Sequence, residues 1–380
     1  MTHAATEHDF NRISETALGD ADLKVPLIKY FKTEKLSLPS KSELVASTCD
    51  VIMWAVMQAR HGYVRNPKQL VCVISASERA NALAVWGGTG HDWIVISEGL
   101  MKILHAAADD MGDRVAAAFP ELFESRLGQS LVDIPPLKGG FRSTLGSFLY
   151  FAGISYFVGH EAGHHLSGHD GYYLSGAHAE ADDNLDPQQS ETKITEQALE
   201  HQADQVGLTI CRIVVTKLLA KLWDVQSFSE AEKVEYQRAL AILLTGGAMM
   251  SVVKIKPTTF DWSDVPGRTH PPAVVRIISV AMQLSAALRK NFGHLDKVSR
   301  KWIRLKCLEV AVGATIKPRS EEDKIFQERA NRGEPAAIRA VGIRKAIHDP
   351  RLRKYYRQLA ESLEAVRPQL RPRTANTPNS

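Results

Sequence analysis

The chain has 380 residues, a formal net charge of +4 and 44% hydrophobic content, a composition that suits a soluble globular protein with core enough for one large domain or two. Its four cysteines, Cys49, Cys72, Cys211 and Cys307, are scattered without paired spacing, which implies neither a disulfide framework nor a cysteine-built metal site and suits a reducing cytoplasm. No internal repeat is visible.

The N-terminal stretch MTHAATEHDFNRISE is polar and acidic with no hydrophobic run behind it, so residues 1–25 read as a polar segment and neither as a signal peptide nor as an anchor. Val71 to Ile74 and Ala82 to Trp86 are apolar, and Gly87-Gly88-Thr89-Gly90 supplies a turn before Trp93 to Ile96, which predicts a hairpin. Leu145, Phe148, Leu149, Phe151, Ile154, Phe157 and Val158 then form an apolar surface wide enough to bury a helix. Gly153, Gly159 and Gly163 weaken its intrinsic propensity, so packing must hold it, with the glycines admitting a neighbouring backbone. The run is too short to cross a bilayer and ends among His and Glu residues.

That helix carries His160-Glu161-Ala162-Gly163-His164, the H-E-x-x-H pattern of zinc metallopeptidases. Positions i and i+4 share a helix face, so both imidazoles can turn a ring nitrogen toward one metal ion. Glu161 sits beside that ion without ligating it, where it can take a proton from water whose pKa the metal lowers to roughly 7.

A catalytic zinc site needs a third protein ligand and an open position. Asp170, ten residues after His160, is the near candidate, but the glycine turn that should precede it is displaced: Ser167 stands where Gly is needed, followed by Gly168 and His169. Gly168 to Thr192 holds Glu180, Asp182, Asp183, Asp186 and Glu191, and reads as a surface loop beside the cleft that can move or screen substrates. The far candidate is a second helix, EQALEHQADQVG over 196–207, continuing into Leu208, Ile210, Val214, Val215, Leu218 and Leu219. There Glu200 and Asp204 share a face, so Glu200 can ligate zinc while Asp204 accepts the far N–H of a zinc-bound histidine. Glu196 lies on the same face, His201 points about a quarter turn away, and a solvated acidic face is the competing reading. The runs Ala241 to Leu244 and Ala248 to Val253, split by Thr245-Gly246-Gly247, stay short of a bilayer span and read as core helix.

Residues 317–334 are charged without apolar periodicity and read as a linker. Beyond them, nine Lys or Arg against three acidic residues fall between Arg344 and Arg373, in a helical stretch with a Pro-rich tail. This basic extension, 335–380, could touch nucleic acid, an acidic protein or an anionic surface, although a solvated helix with a frayed end is preferred. Stacking on nucleic acid would require Tyr355 and Tyr356 to be exposed.

His160-Glu161-x-x-His164 followed by Glu200-x-x-Ala203-Asp204 resembles the gluzincin peptidases of the HtpX, CAAX prenyl protease and mitochondrial Oma type. Thr269-His270-Pro271-Pro272 with Arg276-Ile277 looks like that family's H-P-P-x-x-x-R element. Asn81-Ala82-Leu83-Ala84, then Ile94 to Ser97 and Gly99-Leu100, looks like its N-A-x-A strand and following helix. The resemblance spans roughly residues 69 to 280. It implies one zinc ion per chain held by His160, His164 and Glu200, with His270 and Arg276 near the metal to orient carboxylates or bind the developing oxyanion. It also implies that Asn81 to Ala84 form an exposed edge strand to which an extended peptide adds.

The expected fold is α+β: a mostly helical zincin-like metallopeptidase domain over 26–316 with a small sheet on its N-terminal side, then the linker and the helical basic extension. The expected function is zinc-dependent hydrolysis of peptide bonds in a protein or peptide substrate, by a cytoplasmic member without a membrane span. Two alternatives stay open. One is a narrowly specific regulatory peptidase of the phage-exclusion or repressor-cleaving kind; the other is a non-catalytic binding protein with structural zinc, closed by His165 or His169.

Overall fold

A computed structural model of the chain describes residues 3–63, 69–86, 90–133, 139–173, 177–179, 190–255, 262, 265, 268, 270–291, 297–312 and 320–370. It is mostly helical with one small sheet, in keeping with the α+β class.

The N-terminal segment forms α1 (His3–Gly19) and α2 (Ala21–Pro26). Asp20 caps α2, its Oδ1 accepting from the Asp22 and Leu23 amides at 3.0 and 3.3 Å. After α3 (Glu43–Gly62) come β1 (Gln69–Ser75), β2 (Ala82–Val85) and β3 (His91–Ser97). β2 and β3 make the expected hairpin, with Val85 opposite Trp93 and Ala82 opposite Ile96. β1 joins β3 in parallel. Residues 87–89 of the expected turn lie outside the described residues.

The alternation of these strands sorts their side chains onto two buried faces. Val71, Val73, Leu83, Val85, Trp93 and Val95 pack against Ala17, Leu23, Leu27 and Phe31. Cys72, Ile74, Ala82, Ile94 and Ile96 face the main helical core. The polar N-terminal segment therefore hides an apolar side that seals the sheet, each large side chain adding about 1.5–3 kcal/mol of burial.

The body continues through α4 (Glu98–Ala118), α5 (Pro120–Glu124), α6 (Arg126–Asp133) and α7 (Thr144–Leu166). Every residue of α7 is buried, which its apolar surface requires. A three-residue β4 (Ala177–Ala179) leads to α8 (Ser190–Leu222), the long helix that crosses α7. The crossing is close because small residues line both sides. A Cβ on Gly159 would lie 2.9 Å from the Gly207 Cα, and one on Gly163 would lie 2.9 Å from the Ala203 Cα.

Helix α9 (Glu230–Ile255) runs unbroken through Thr245-Gly246-Gly247, so the two apolar runs are one core helix, as read, but joined and longer than expected. Its Glu230–Val253 stretch is long and apolar enough to cross a membrane, but it is almost wholly buried inside the protein. The glycines serve packing there: a Cβ on Gly247 would come within 2.4 Å of the Ala152 Cβ.

The C-terminal part comprises α10 (Ala273–Asn291), α11 (Lys297–Val312), α12 (Ser320–Asn331), α13 (Pro335–His348) and α14 (Pro350–Val366). α12 occupies much of the stretch read as a linker. α14 buries Leu352, Tyr355 and Leu359 and lies on α8, where Ser362 Oγ is 2.9 Å from Thr195 Oγ1. The basic extension is thus joined to the helix that carries Glu200.

Candidate metal centre

His160 and His164 project from α7 and Glu200 from α8, all with no solvent exposure. His160 Nε2 lies 3.2 Å from Glu200 Oε2, His164 Nε2 lies 3.2 Å from Glu200 Oε1, and the two Nε2 atoms are 3.3 Å apart. Ligands held about 2.0–2.1 Å from a tetrahedral ion stand about 3.3 Å from one another. Both imidazoles thus face one carboxylate, each on a different oxygen, at about the separation of neighbouring ligands, and this buried His-His-Glu group can hold a metal ion. The donor types fit as well, since imidazole and carboxylate suit a divalent ion and a buried carboxylate is costly without a positive partner.

The far side of each imidazole is fixed. His160 Nδ1 donates to Asp204 Oδ1 at 2.9 Å. Burial pushes the Asp204 carboxyl up, but the Arg276 guanidinium and His160 outweigh it and hold the pKa at about 2. Asp204 is therefore an anion at neutral pH and can only accept, which leaves the His160 Nε2 lone pair for a metal. Asp204 also accepts from Tyr156 at 2.5 Å and from Arg276 Nη2 and Nε at 2.6 and 3.1 Å. Asp204 thus stands against the far nitrogen of His160, where the expected acceptor would be.

His164 is oriented by a relay that the sequence did not reveal. His169 Nε2 donates to Gln202 Oε1 at 2.9 Å, so its Nδ1 accepts from His164 Nδ1 at 2.8 Å. The His164 Nε2 lone pair then points at the same centre as that of His160. Gly168, at φ +71, makes the reversal that brings His169 back onto α7. That glycine, one residue out of register for a ligand turn, was the available signal.

The remaining candidates fall elsewhere. His165 Nε2 donates to the Trp93 carbonyl at 3.1 Å and ties α7 to the sheet. Glu196 faces Lys193 at 3.7 Å, and His201 Nδ1 meets Ser279 Oγ at 3.1 Å. Among the described residues, neither Asp170, Glu196, His165 nor His169 joins the ligand group. Glu161 is fully buried one residue after His160, about 100° around the helix. His270 is 2% exposed with Nε2 3.4 Å from Glu200 Oε2, so it flanks the carboxylate. Arg276, 1% exposed, engages Asp204 and Tyr156, which makes it a support for the His160 anchor. Thr269 lies outside the described residues.

The strand expectation needs correction. Ala82, Leu83 and Ala84 do lie on β2, preceded by the buried Asn81, but β2 is an inner strand in the order β1-β3-β2-β4. β4 pairs antiparallel along its outer rim, Leu83 opposite Ala179 and Val85 opposite Ala177. A short polar loop strand has no sequence pattern of its own, and backbone pairing alone defines it. Beside this rim, Trp86 stacks on Tyr173 at 5.9 Å and meets His164 edge-on at 6.4 Å. Most of the acidic positions of the 168–192 loop lie outside the described residues.

No protein-family model matches the chain, and neither curated proteins nor solved structures give a match, so the metal-binding geometry stands on this chain's own residues.

Proposed function

We propose that this chain is a zinc-dependent endopeptidase with a zincin-like site of the gluzincin kind. The observation that carries it is the buried donor group of His160, His164 and Glu200 next to Glu161. Two imidazoles and a carboxylate are a donor set of catalytic zinc sites, which keep one position for water. When bound, zinc polarises a carbonyl and brings water near a pKa of about 7.

The chain's own residues supply the rest. Glu161 takes the proton of the attacking water and returns it to the departing amine, so the peptide bond breaks with no net proton change. His270 orients the outer side of Glu200, Asp204 with Arg276 fixes His160, and His169 with Gln202 fixes His164. An extended substrate would pair with β2, and to do so it must displace β4.

That last point favours the narrowly specific alternative over general degradation. A rim already paired with the chain's own strand admits only substrates that compete for it. A purely structural zinc site would need a fourth protein ligand, and among the described residues the donor group has three members.

The test is mapping of new peptide termini in a cell lysate incubated with zinc-loaded protein, with zinc-loaded Glu161→Gln as control. One dominant Glu161-dependent cut identifies a selective peptidase, and many scattered cuts identify a general one. Lysate identical to the control, with zinc bound in both proteins, overturns the peptidase reading.

A further inference from the structure

Helices α10, α11, α13 and α14 enclose an open cavity of about 620 Å³ on the side of the molecule built by the basic extension. Its volume falls within the range of ligand-sized sites. Ile278 and Met282 from α10, Leu305 and Leu308 from α11, Ile347 from α13 and Leu352 from α14 make it apolar. Met282 is 50% exposed and Ile347 36% exposed, so two large apolar side chains face water where a partner would bury them.

The surround is basic. Arg353 lines the cavity, and Arg357 stands one turn further along the same face of α14. Lys354 adjoins them, and Lys301 on α11 stands one turn before Leu305. All four cations are exposed, and none forms an ion pair with a described residue. The nearby acids are mostly engaged: Asp349 is held by Arg351 at 2.7 Å, Glu309 by Lys306 at 3.6 Å, and Glu364 by Arg367 at 2.5 Å. Glu361 lies one turn beyond Arg357 and pairs with none of the four.

We infer that this groove docks an acidic peptide segment of a partner protein, with apolar anchors in the cavity and carboxylates on Lys301, Arg353, Lys354 and Arg357. An amphipathic helix laid into an apolar groove is the mode that matches such a floor and rim. Nucleic acid fits less well, because it supplies no aliphatic anchor and the tyrosines it would stack on are committed. Tyr355 is 3% exposed, and Tyr356 is half-buried with its hydroxyl donating to the Val275 carbonyl at 3.2 Å. The chain's own C-terminal sequence, RPRTANTPNS, has neither acids nor large apolar residues to fill the site.

The groove also reaches toward the metal centre. Tyr356 lines it and meets the ring of His201, next to Glu200, at 5.9 Å, while Val275 precedes Arg276. An occupant therefore bears on α10, which carries Arg276, and through Tyr356 on α8, which carries Glu200. The docking inference does not rest on the peptidase reading, and binding tests it without any turnover.

The experiment is fluorescence anisotropy on the full chain with three labelled probes: a peptide with Leu at helical spacing and Glu between, the same peptide with Lys for Glu, and a single-stranded oligonucleotide. The acidic peptide should bind, more weakly as salt rises, and the Lys peptide should not. Arg353→Glu with Arg357→Glu, and separately Met282→Asp, should each weaken binding by about tenfold or more. Both change exposed side chains, and unchanged zinc content and unfolding midpoint would show that the fold is intact. Absence of acidic-peptide binding, equal binding of the Lys peptide, or binding of the oligonucleotide alone overturns the proposal.

Discussion

At the scale of single residues, the proposed function separates groups that would hold a metal from the one that would use it. Glu161→Gln keeps the shape of the helix and all three ligands, so it should retain a full complement of zinc while losing about 10²–10⁴-fold in cleavage rate. Glu200→Ala removes one corner of the donor triangle and should lose zinc, measured by elemental analysis after gel filtration. Full zinc in that variant would return Asp170 or Glu196 to contention. His169→Ala removes the acceptor of His164 Nδ1 and should weaken zinc binding about 10–100-fold with the ligands intact, by competition with a chelating dye. The ligands and Asp204 were legible because i, i+4 spacing on two helices is a local property. His169 and Gln202 were not, since their partnership depends on a turn at Gly168 and on the crossing of α7 with α8. The chemistry of Arg276 was half legible: the family resemblance placed it near the site, and only the structure assigned its guanidinium to Asp204.

At the scale of elements, the crossing of α7 and α8 decides whether a centre exists. Gly159→Ala would put a methyl group within 2.9 Å of the Gly207 Cα, backbone that cannot yield without separating the helices. The expected cost is about 1–3 kcal/mol of overpacking, read from denaturant unfolding, together with weaker zinc binding. Unchanged stability would mean that the helices are not as close as described. The glycines could be read in sequence as a sign of close packing, but the partner helix could not, because small residues identify a contact without naming its mate. The sheet shows the same limit. Apolar runs and a glycine turn made β2 and β3 readable, whereas β4 exists only through its pairing with β2. On the proposed peptidase reading an extended substrate needs the rim that β4 occupies, so His178→Pro, which removes a backbone donor next to that rim, should raise cleavage of an unstructured peptide. An unchanged rate would separate substrate binding from that rim.

At the scale of the whole molecule, composition and pattern gave the class but not the docking of the ends. The first 25 residues looked polar because their apolar positions are spaced around helices, and the covered face of the sheet becomes visible only when Ala17 and Leu23 meet Trp93. The C-terminal stretch looked detachable for a similar reason: a basic helix reads as solvated until Tyr355 is seen donating to Gln197 at 2.6 Å. Gln197 in turn donates to the carbonyls of Val265 and Arg268, each at 2.7 Å, shortly before His270. These bonds make the metal centre a junction between α7, α8 and the segment that leads to α10. Zinc bound there links the two central helices, so it should stabilise the native chain by mass action, about 2.7 kcal/mol when free zinc exceeds its Kd a hundredfold. Chelation should accordingly lower the thermal midpoint of the wild-type chain. Glu200→Ala, with its donor triangle broken, should melt near the chelated wild type and respond little to added zinc. A wild-type midpoint that ignores both chelator and zinc would show that the triangle of His160, His164 and Glu200 holds no ion that matters to the fold.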